Sequence, residues 1–319
     1  MNEDNETIDV LIVGAGLAGI GSACQLRRKS PEHSFAILEA RGVSGGTWDL
    51  FRYPGIRSDS DMCTYSYGFK PWPNKSAIAN GDSILSYIRE TAQEIDVERH
   101  IRYHHKVVAA QWSSKEARWL VTVERSDTGE HLTIQCRFIL SCSGYYDYDQ
   151  GYTPEFPGID DFNGEVVHPQ QWPDKLDYKN KRVVVIGSGA TAVTLLPTMS
   201  KDTASLVMLQ RSPTYIASLP TEDPWLKTLS KYLSGDWTFR LIRWKKVLFQ
   251  RYTYNLSRTK PRKLRNYLLN QVRTELGPDY DVKTHFTLSY NPWDQRLCAV
   301  PDGDMFAAIR EGRAEVATR

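Results

Sequence analysis

Ile8-Asp9-Val10-Leu11-Ile12-Val13-Gly14-Ala15-Gly16-Leu17-Ala18-Gly19 is the stretch that decides the fold. Ile8 to Val13 is a short β-branched run that ends directly on a glycine, the pattern of a buried parallel strand. Ala15 to Lys29 has helical spacing, and Pro31 follows as a stop. Ser34 to Leu38 is the next strand and ends at Glu39. Strand, glycine turn, helix, strand and acid, in that order, give G-x-G-x-x-G its meaning as a dinucleotide cradle. Gly14 permits the tight turn, Gly16 lets backbone approach a pyrophosphate, and Gly19 lets helix and strand pack closely. The helix amino terminus then faces the phosphates, and Glu39 can accept hydrogen bonds from a ribose diol. A plain tight turn is the competing reading of the glycines alone, and the flanking elements set it aside.

Gly187-Ser188-Gly189-Ala190-Thr191-Ala192 is a second cradle. It follows the strand Val183 to Ile186, in a unit that begins at Arg182, and the next strand is Ser205 to Gln210. Pro197 is expected to shorten the helix between them. Where an acid would select NAD, the chain has Gln210 followed by Arg211 and Ser212. An acid would repel a 2′-phosphate, whereas a guanidinium grips it through parallel hydrogen bonds. NADPH is therefore favoured over NADH, with Gly187, Gly189, Thr191, Arg211 and Ser212 as binding residues. A solvated surface arginine is the competing reading of Arg211. Two cradles in one chain suggest FAD at the first, NADPH at the second, and hydride transfer between them. Disulfide reductases share this layout but need a redox cysteine pair after the first helix, where only Cys63 lies. Molecular oxygen is the remaining electron acceptor.

The expected architecture is α/β, with two dinucleotide-binding (Rossmann-like) domains. Residues 1–145 form an FAD-binding domain with a β-meander, from Ile101–Trp112, Trp119–Arg125 and His131–Ser141. Residues 146–319 form an NADPH-binding domain with a helical insertion at about 222–290. The Gly-, Pro- and Tyr-rich loop from Gly144 to Asp161 is the expected boundary. The 319 residues carry a net charge of +2, too small to imply nucleic acid. The polar amino terminus excludes a secretory signal, and no apolar stretch is long enough to span a membrane. Five scattered cysteines without a C-x-x-C suggest a reducing cytoplasm rather than a disulfide framework. His104 and His105, read as neighbours in one strand, would point to opposite faces, so no metal constellation is expected.

From Asp236 to Glu275 there are eleven Lys/Arg against two Asp/Glu, with Trp237, Leu241, Trp244 and Leu248 along one helical face. The favoured reading packs that apolar face inward and leaves the cations in water. The second reading lays the segment on an anionic membrane surface.

Phe162-Asn163-Gly164-Glu165-Val166-Val167-His168-Pro169-Gln170-Gln171-Trp172-Pro173 fits F-x-G-x-x-x-H-x-x-x-W-P. It resembles the fingerprint of Baeyer–Villiger (class B flavoprotein) monooxygenases, placed just before the second glycine loop as in that family. Gly45-Gly46-Thr47-Trp48, Arg52-Tyr53-Pro54-Gly55, Ser143-Gly144 and Gln210-Arg211-Ser212-Pro213 agree with it. The resemblance implies that Gly46, Thr47 and Trp48 contact the cofactor. It implies NADPH- and FAD-dependent conversion of ketones to esters or lactones through a C4a-peroxyflavin. It also implies that Arg296 stabilises the anionic adduct while Asp59 orients that arginine, a fixed cation where negative charge develops. His168 and Trp172 would serve as a hinge between domains, with plain packing an equal alternative, while Phe162 and Gly164 are fingerprint residues. Two departures stand out. Gln295 occupies the place of a family lysine that helps hold the cofactor phosphate. The family's chains also continue beyond the point matching Arg319, so a fragment lacking the return segment to the FAD domain is expected. Two alternatives stay open: oxygenation of nitrogen or sulfur, and a non-catalytic nucleotide-binding module.

Overall fold

The computed structural model describes residues 7–74, 76–295 and 297–319. In chain order the first elements are β1 (Thr7–Val13), α1 (Leu17–Lys29), β2 (Phe35–Leu38), α2 (Thr47–Leu50), α3 (Met62–Tyr65) and α4 (Gly81–Glu94). Four strands follow: β3 (Ile101–Arg102), β4 (His105–Ser113), β5 (Arg118–Arg125) and β6 (His131–Ser141). The second half begins with β7 (Arg182–Ile186), α5 (Ala190–Met199), β8 (Ser205–Gln210), β9 (Tyr215–Leu219) and α6 (Pro224–Leu229). It ends with α7 (Gly235–Thr259), α8 (Pro261–Leu276), α9 (Val282–Phe286), β10 (Leu297–Pro301), α10 (Asp304–Arg310) and β11 (Glu315–Thr318).

Two compact units emerge: Met1–Phe51 with Gly81–Gln171, and Arg52–Asn80 with Trp172–Arg319. This is not the single cut after residue 145 expected from the sequence. Residues 52–80 leave the first unit because their partners lie in the second. Ala77 N–H donates to the Thr221 carbonyl at 2.7 Å, and Arg243 donates to the carbonyls of Cys63 and Ser66 at 2.7 and 2.9 Å. The break near 145 also moves, to the join between Gln171 and Trp172.

The first unit is built on a six-stranded sheet in the order β3-β2-β1-β6-β5-β4. β1 sits inside it, parallel to both β2 and β6, and buries Leu11 and Ile12 completely. A strand covered on both sides needs the unbroken apolar run that Val10 to Val13 supplies. The expected meander is therefore part of the main sheet, because β6 pairs with β1 as well as with β5. Its expected first strand is split. His104 has a left-handed backbone (φ +60°), which ends β3 before β4 begins. His104 and His105 are thus not neighbours in one strand. Among the described residues no group of His, Cys, Asp or Glu is placed to hold a metal ion.

In the second unit β7, β8 and β11 form a parallel sheet, and β9 pairs parallel with β10. α5 ends two residues beyond Pro197, whose ring nitrogen has no N–H to donate to the preceding turn. The basic segment of the helical insertion is two helices, α7 and α8. Lys260 leaves helical geometry (φ −138°, ψ 58°), and Pro261 opens α8 at a position where no N–H is needed. α8 buries Leu264, Leu268, Leu269, Val272 and Leu276 at helical spacing. α7 behaves differently: it buries Thr238, Phe239, Ile242 and Ser257, while Trp237, Leu241, Trp244 and Leu248 are exposed. The apolar face expected to pack inward faces outward, because Arg243 and Lys246, on the Phe239 side, are engaged by α3 and its flanks. Among the described residues no helix is long and apolar enough to cross a membrane.

Candidate dinucleotide-binding sites

The first cradle lies between β1 and α1. Gly14 turns with φ +103°, and its N–H donates to the Leu38 carbonyl at 2.7 Å, tying the turn to the end of β2. Gly19 packs so tightly against this turn that an added Cβ would lie 1.8 Å from the Gly14 carbonyl oxygen. Gly16 is the N-cap of α1; no side chain caps that helix and no acid lies in its first turn. A helix amino terminus without a capping side chain or a first-turn acid is suited to an anion. Glu39 is buried at the end of β2. One carboxylate oxygen accepts from the Ala15 N–H at 2.8 Å and the other from the Arg41 N–H at 3.0 Å. The acid thus clamps the glycine loop, and lone pairs remain on both oxygens for a ribose diol.

A second loop closes on this cradle. Gly46 comes against Gly16, and the Thr47 hydroxyl lies 3.5 Å from the Tyr148 hydroxyl. Burial pushes the Tyr148 phenol above its usual range, the Thr47 hydrogen bond opposing it. Trp48 lies in α2, which begins at Thr47. The carboxylate of Asp49, in the same turn, is almost fully enclosed and pairs with Arg41 and with Arg89, the latter at 2.7 Å. Arg89 also donates to the Ser44 carbonyl at 2.8 Å. This Arg41–Asp49–Arg89 clamp, which fixes the Gly45–Thr47 loop, was not singled out from the sequence. No short-range spacing links residues 41, 49 and 89.

The second cradle repeats the geometry with more open space. Gly187 turns with φ +125°, and Gly189 is the N-cap of α5, again with no capping side chain and no acid in the first turn. An added Cβ at either glycine would meet nothing within 4 Å, so room for a pyrophosphate is present. Ser188 Oγ donates to the Ser212 carbonyl at 2.9 Å and lies 3.0 Å from the Thr214 hydroxyl, joining the loop to the residues after β8. Thr191 hydrogen-bonds Tyr53, whose phenol is pushed up by burial. Arg211 and Ser212 are exposed beside the loop, whereas Gln210 is buried and donates to the His285 carbonyl and Thr318 hydroxyl at 2.8 and 2.9 Å. Gln210 is thus structural, and Arg211 is free to reach solvent or a ligand.

Asp59 is exposed, and its carboxylate accepts from Ser60 at 3.3 Å. Its expected partner Arg296 lies outside the described residues. In the fingerprint, Phe162 is exposed and its ring lies over Gly164. The His168 ring packs on Gly151, and its Nδ1 accepts from the Gln170 N–H at 3.2 Å. Trp172 meets Tyr178 edge-on at 6.4 Å. Gln170, which the motif reading passed over, is buried and donates to the Asp147 carbonyl, while Gln171 donates to that of Asp149 at 3.1 Å. The join between the two units falls inside this motif, between Gln171 and Trp172.

Residues 56–273 match the model of the flavin-binding monooxygenase-like family, and residues 12–74 match an NAD(P)-binding Rossmann-like domain. The chain belongs to the flavin-binding monooxygenase-like family. Within it, the chain is 51% identical to the FAD-containing monooxygenase EthA of Mycobacterium tuberculosis, over 98% of its own length and 64% of the relative's. It is 49% identical to the probable FAD-binding monooxygenase AlmA of Acinetobacter baylyi, over 98% of its length and 62% of the relative's. It thus spans somewhat less than two thirds of these relatives. Among solved structures, a steroid monooxygenase bound to NADP superposes with a TM-score of 0.77 at 24% identity, covering 98% of this chain and 65% of that one. OTEMO in complex with FAD and NADP gives 0.75 at 23% identity, with coverage of 98% and 65%. These two likenesses establish the two-cradle fold.

Proposed function

We propose that this chain carries the FAD- and NADPH-binding part of a monooxygenase that inserts oxygen beside a ketone carbonyl. The observation that carries the proposal is the pair of uncapped glycine-loop helices, one backed by buried Glu39 and the other flanked by exposed Arg211. FAD belongs at the first loop, where Glu39 can take the ribose and the Gly45–Thr47 loop closes over the phosphates. NADPH belongs at the second, where Arg211 and Ser212 can take the 2′-phosphate. The steroid monooxygenase structure bound to NADP and the OTEMO structure with FAD and NADP agree with this assignment. When bound, the flavin accepts hydride from NADPH and activates dioxygen. The protein's part is to orient the two cofactors and exclude water. By the family resemblance, Arg296 would supply a fixed positive charge where negative charge develops, and Asp59 would orient it. The fingerprint from Phe162 to Pro173 favours ketone oxygenation over attack on nitrogen or sulfur. None of the five cysteines, all among the described residues, is in a disulfide and four are buried, which suits a reducing cytoplasm.

The test is turnover of the FAD-reconstituted protein with NADPH and isotopically labelled dioxygen, offered a cyclic ketone and a thioether side by side. A lactone carrying one labelled oxygen supports the reading. Sulfoxide without lactone would place the protein with the sulfur and nitrogen oxygenases. NADPH binding without either product would leave only a nucleotide-binding module.

A further inference from the structure

The outward face of α7 has no counterpart in cofactor binding. Trp237, Leu241, Trp244, Leu248 and Tyr252 are 60, 47, 65, 59 and 61% exposed. At 100° per residue they fall within one stripe, roughly 22 Å long. This is a second apolar face, on the side of α7 away from buried Phe239 and Ile242. Single exposed hydrophobics need no explanation, but a contiguous row of five large ones marks a contact surface.

Charge identifies the occupant. Of the six basic residues of α7, Arg243, Lys245, Lys246 and Arg258 are held by carbonyls or carboxylates of this chain, which leaves the charge beside the stripe to Arg240 and Arg251. The helix has one acidic residue, Asp236, in its first turn. Arg240 and Arg251 are exposed and flank the stripe, and the Arg240 guanidinium lies 5.7 Å from the centre of the Trp237 ring. Tryptophan and tyrosine favour the boundary between lipid headgroups and acyl chains, and arginine stems lie along apolar surface while their heads reach phosphate. A second copy of the chain fits less well, since a two-fold contact sets a basic stripe against itself. We propose that the exposed face of α7 lies in the surface of an anionic lipid bilayer, holding the protein at the membrane without crossing it. Lipophilic substrates dissolved in that bilayer would then be concentrated beside the enzyme.

The experiment is co-sedimentation of the whole chain with phosphatidylcholine vesicles, with and without phosphatidylglycerol. Binding is expected only with the anionic lipid, and raised salt should weaken it. Each arginine near an anionic surface strengthens partition roughly fivefold, so Arg240→Gln with Arg251→Gln should weaken it roughly twentyfold or more. Trp244→Glu with Leu248→Glu should weaken it by about tenfold or more, with thermal melting and NADPH binding unchanged. Two results would overturn the proposal. One is anionic-vesicle binding that is absent or indifferent to both double variants. The other is light scattering in which Trp244→Glu with Leu248→Glu turns a dimer into a monomer while vesicles are ignored, making the stripe a dimer seam.

Discussion

Alanine placed at Gly19 and at Gly16, three residues apart in the same loop, should have opposite consequences. At Gly19 the new Cβ would lie 1.8 Å from the Gly14 carbonyl oxygen and 3.0 Å from its carbon. Ordinary contact begins near 3.4 Å, so helix and turn must separate by about 1.6 Å, the difference of the two distances. Neither side can yield cheaply. The turn is held by the Gly14–Leu38 hydrogen bond and backed by the Cys142 carbonyl, and α1 packs Ile20, Ala23 and Cys24 with no exposure. Overpacking of this kind costs about 3 kcal/mol, the upper end of its usual range. For a unit of this size that lowers the melting temperature by roughly 6–12 °C. At Gly16 the backbone is extended (φ −84°, ψ −169°), and a Cβ would make an ordinary 3.5 Å contact with Gly46 Cα. Gly16→Ala should therefore melt like the parent while binding FAD more weakly, because its methyl occupies the space of the pyrophosphate. Calorimetry of the flavin-free proteins and a fluorescence titration with FAD read the two effects separately. Gly19→Ala melting like the parent, or both variants losing equal stability, would refute the reasoning.

Other residues yield equally direct tests. Asp49→Asn leaves Arg41 and Arg89 without their shared carboxylate and should cost about 2 kcal/mol in urea unfolding, less than a fully buried pair because both arginines reach solvent. Burial raises the pKa of Asp223, but the hydrogen bond and charge of Lys246 outweigh it, leaving the carboxyl below its usual 3.8. A depressed folded value stabilises fully above the unfolded one and is lost as pH falls through it, so melting should drop on acidification from about pH 5 to about pH 3. Lys246→Met, which removes the 2.8 and 2.9 Å contacts to Asp61 and Asp223, should flatten that drop. Arg211→Ala should raise the KM for NADPH by about 10- to 100-fold and leave that for NADH unchanged, as steady-state kinetics would measure.

The strand, turn, helix and next strand end around each glycine loop were legible because they lie close in the chain. Gly14, Gly16, Gly19 and Glu39 meet as their spacing implied, with the Ala15 N–H on the Glu39 carboxylate. Long-range choices were not legible. Alternation along His131–Ser141 announces a strand but not that its parallel neighbour is β1, more than a hundred residues earlier. On α7 two apolar faces compete, and periodicity cannot rank them. The outcome depends on Arg243 finding the Cys63 carbonyl, 180 residues away, and on Lys246 finding Asp61. The same contacts draw residues 52–80 out of the first unit, against a boundary read from composition alone. The Arg41–Asp49–Arg89 clamp was missed for a related reason: its members share a site but no spacing.

Anaerobic mixing of the FAD-reconstituted chain with NADPH, followed by absorbance in the flavin band, tests the division of labour between the two cradles most directly. Rapid bleaching by NADPH, much slower bleaching by NADH, and loss of that preference in Arg211→Ala are the predicted results. A flavin that is retained but reduced equally by both nucleotides, or by neither, would contradict the assignment of FAD to the Glu39 loop and NADPH to the Arg211 loop.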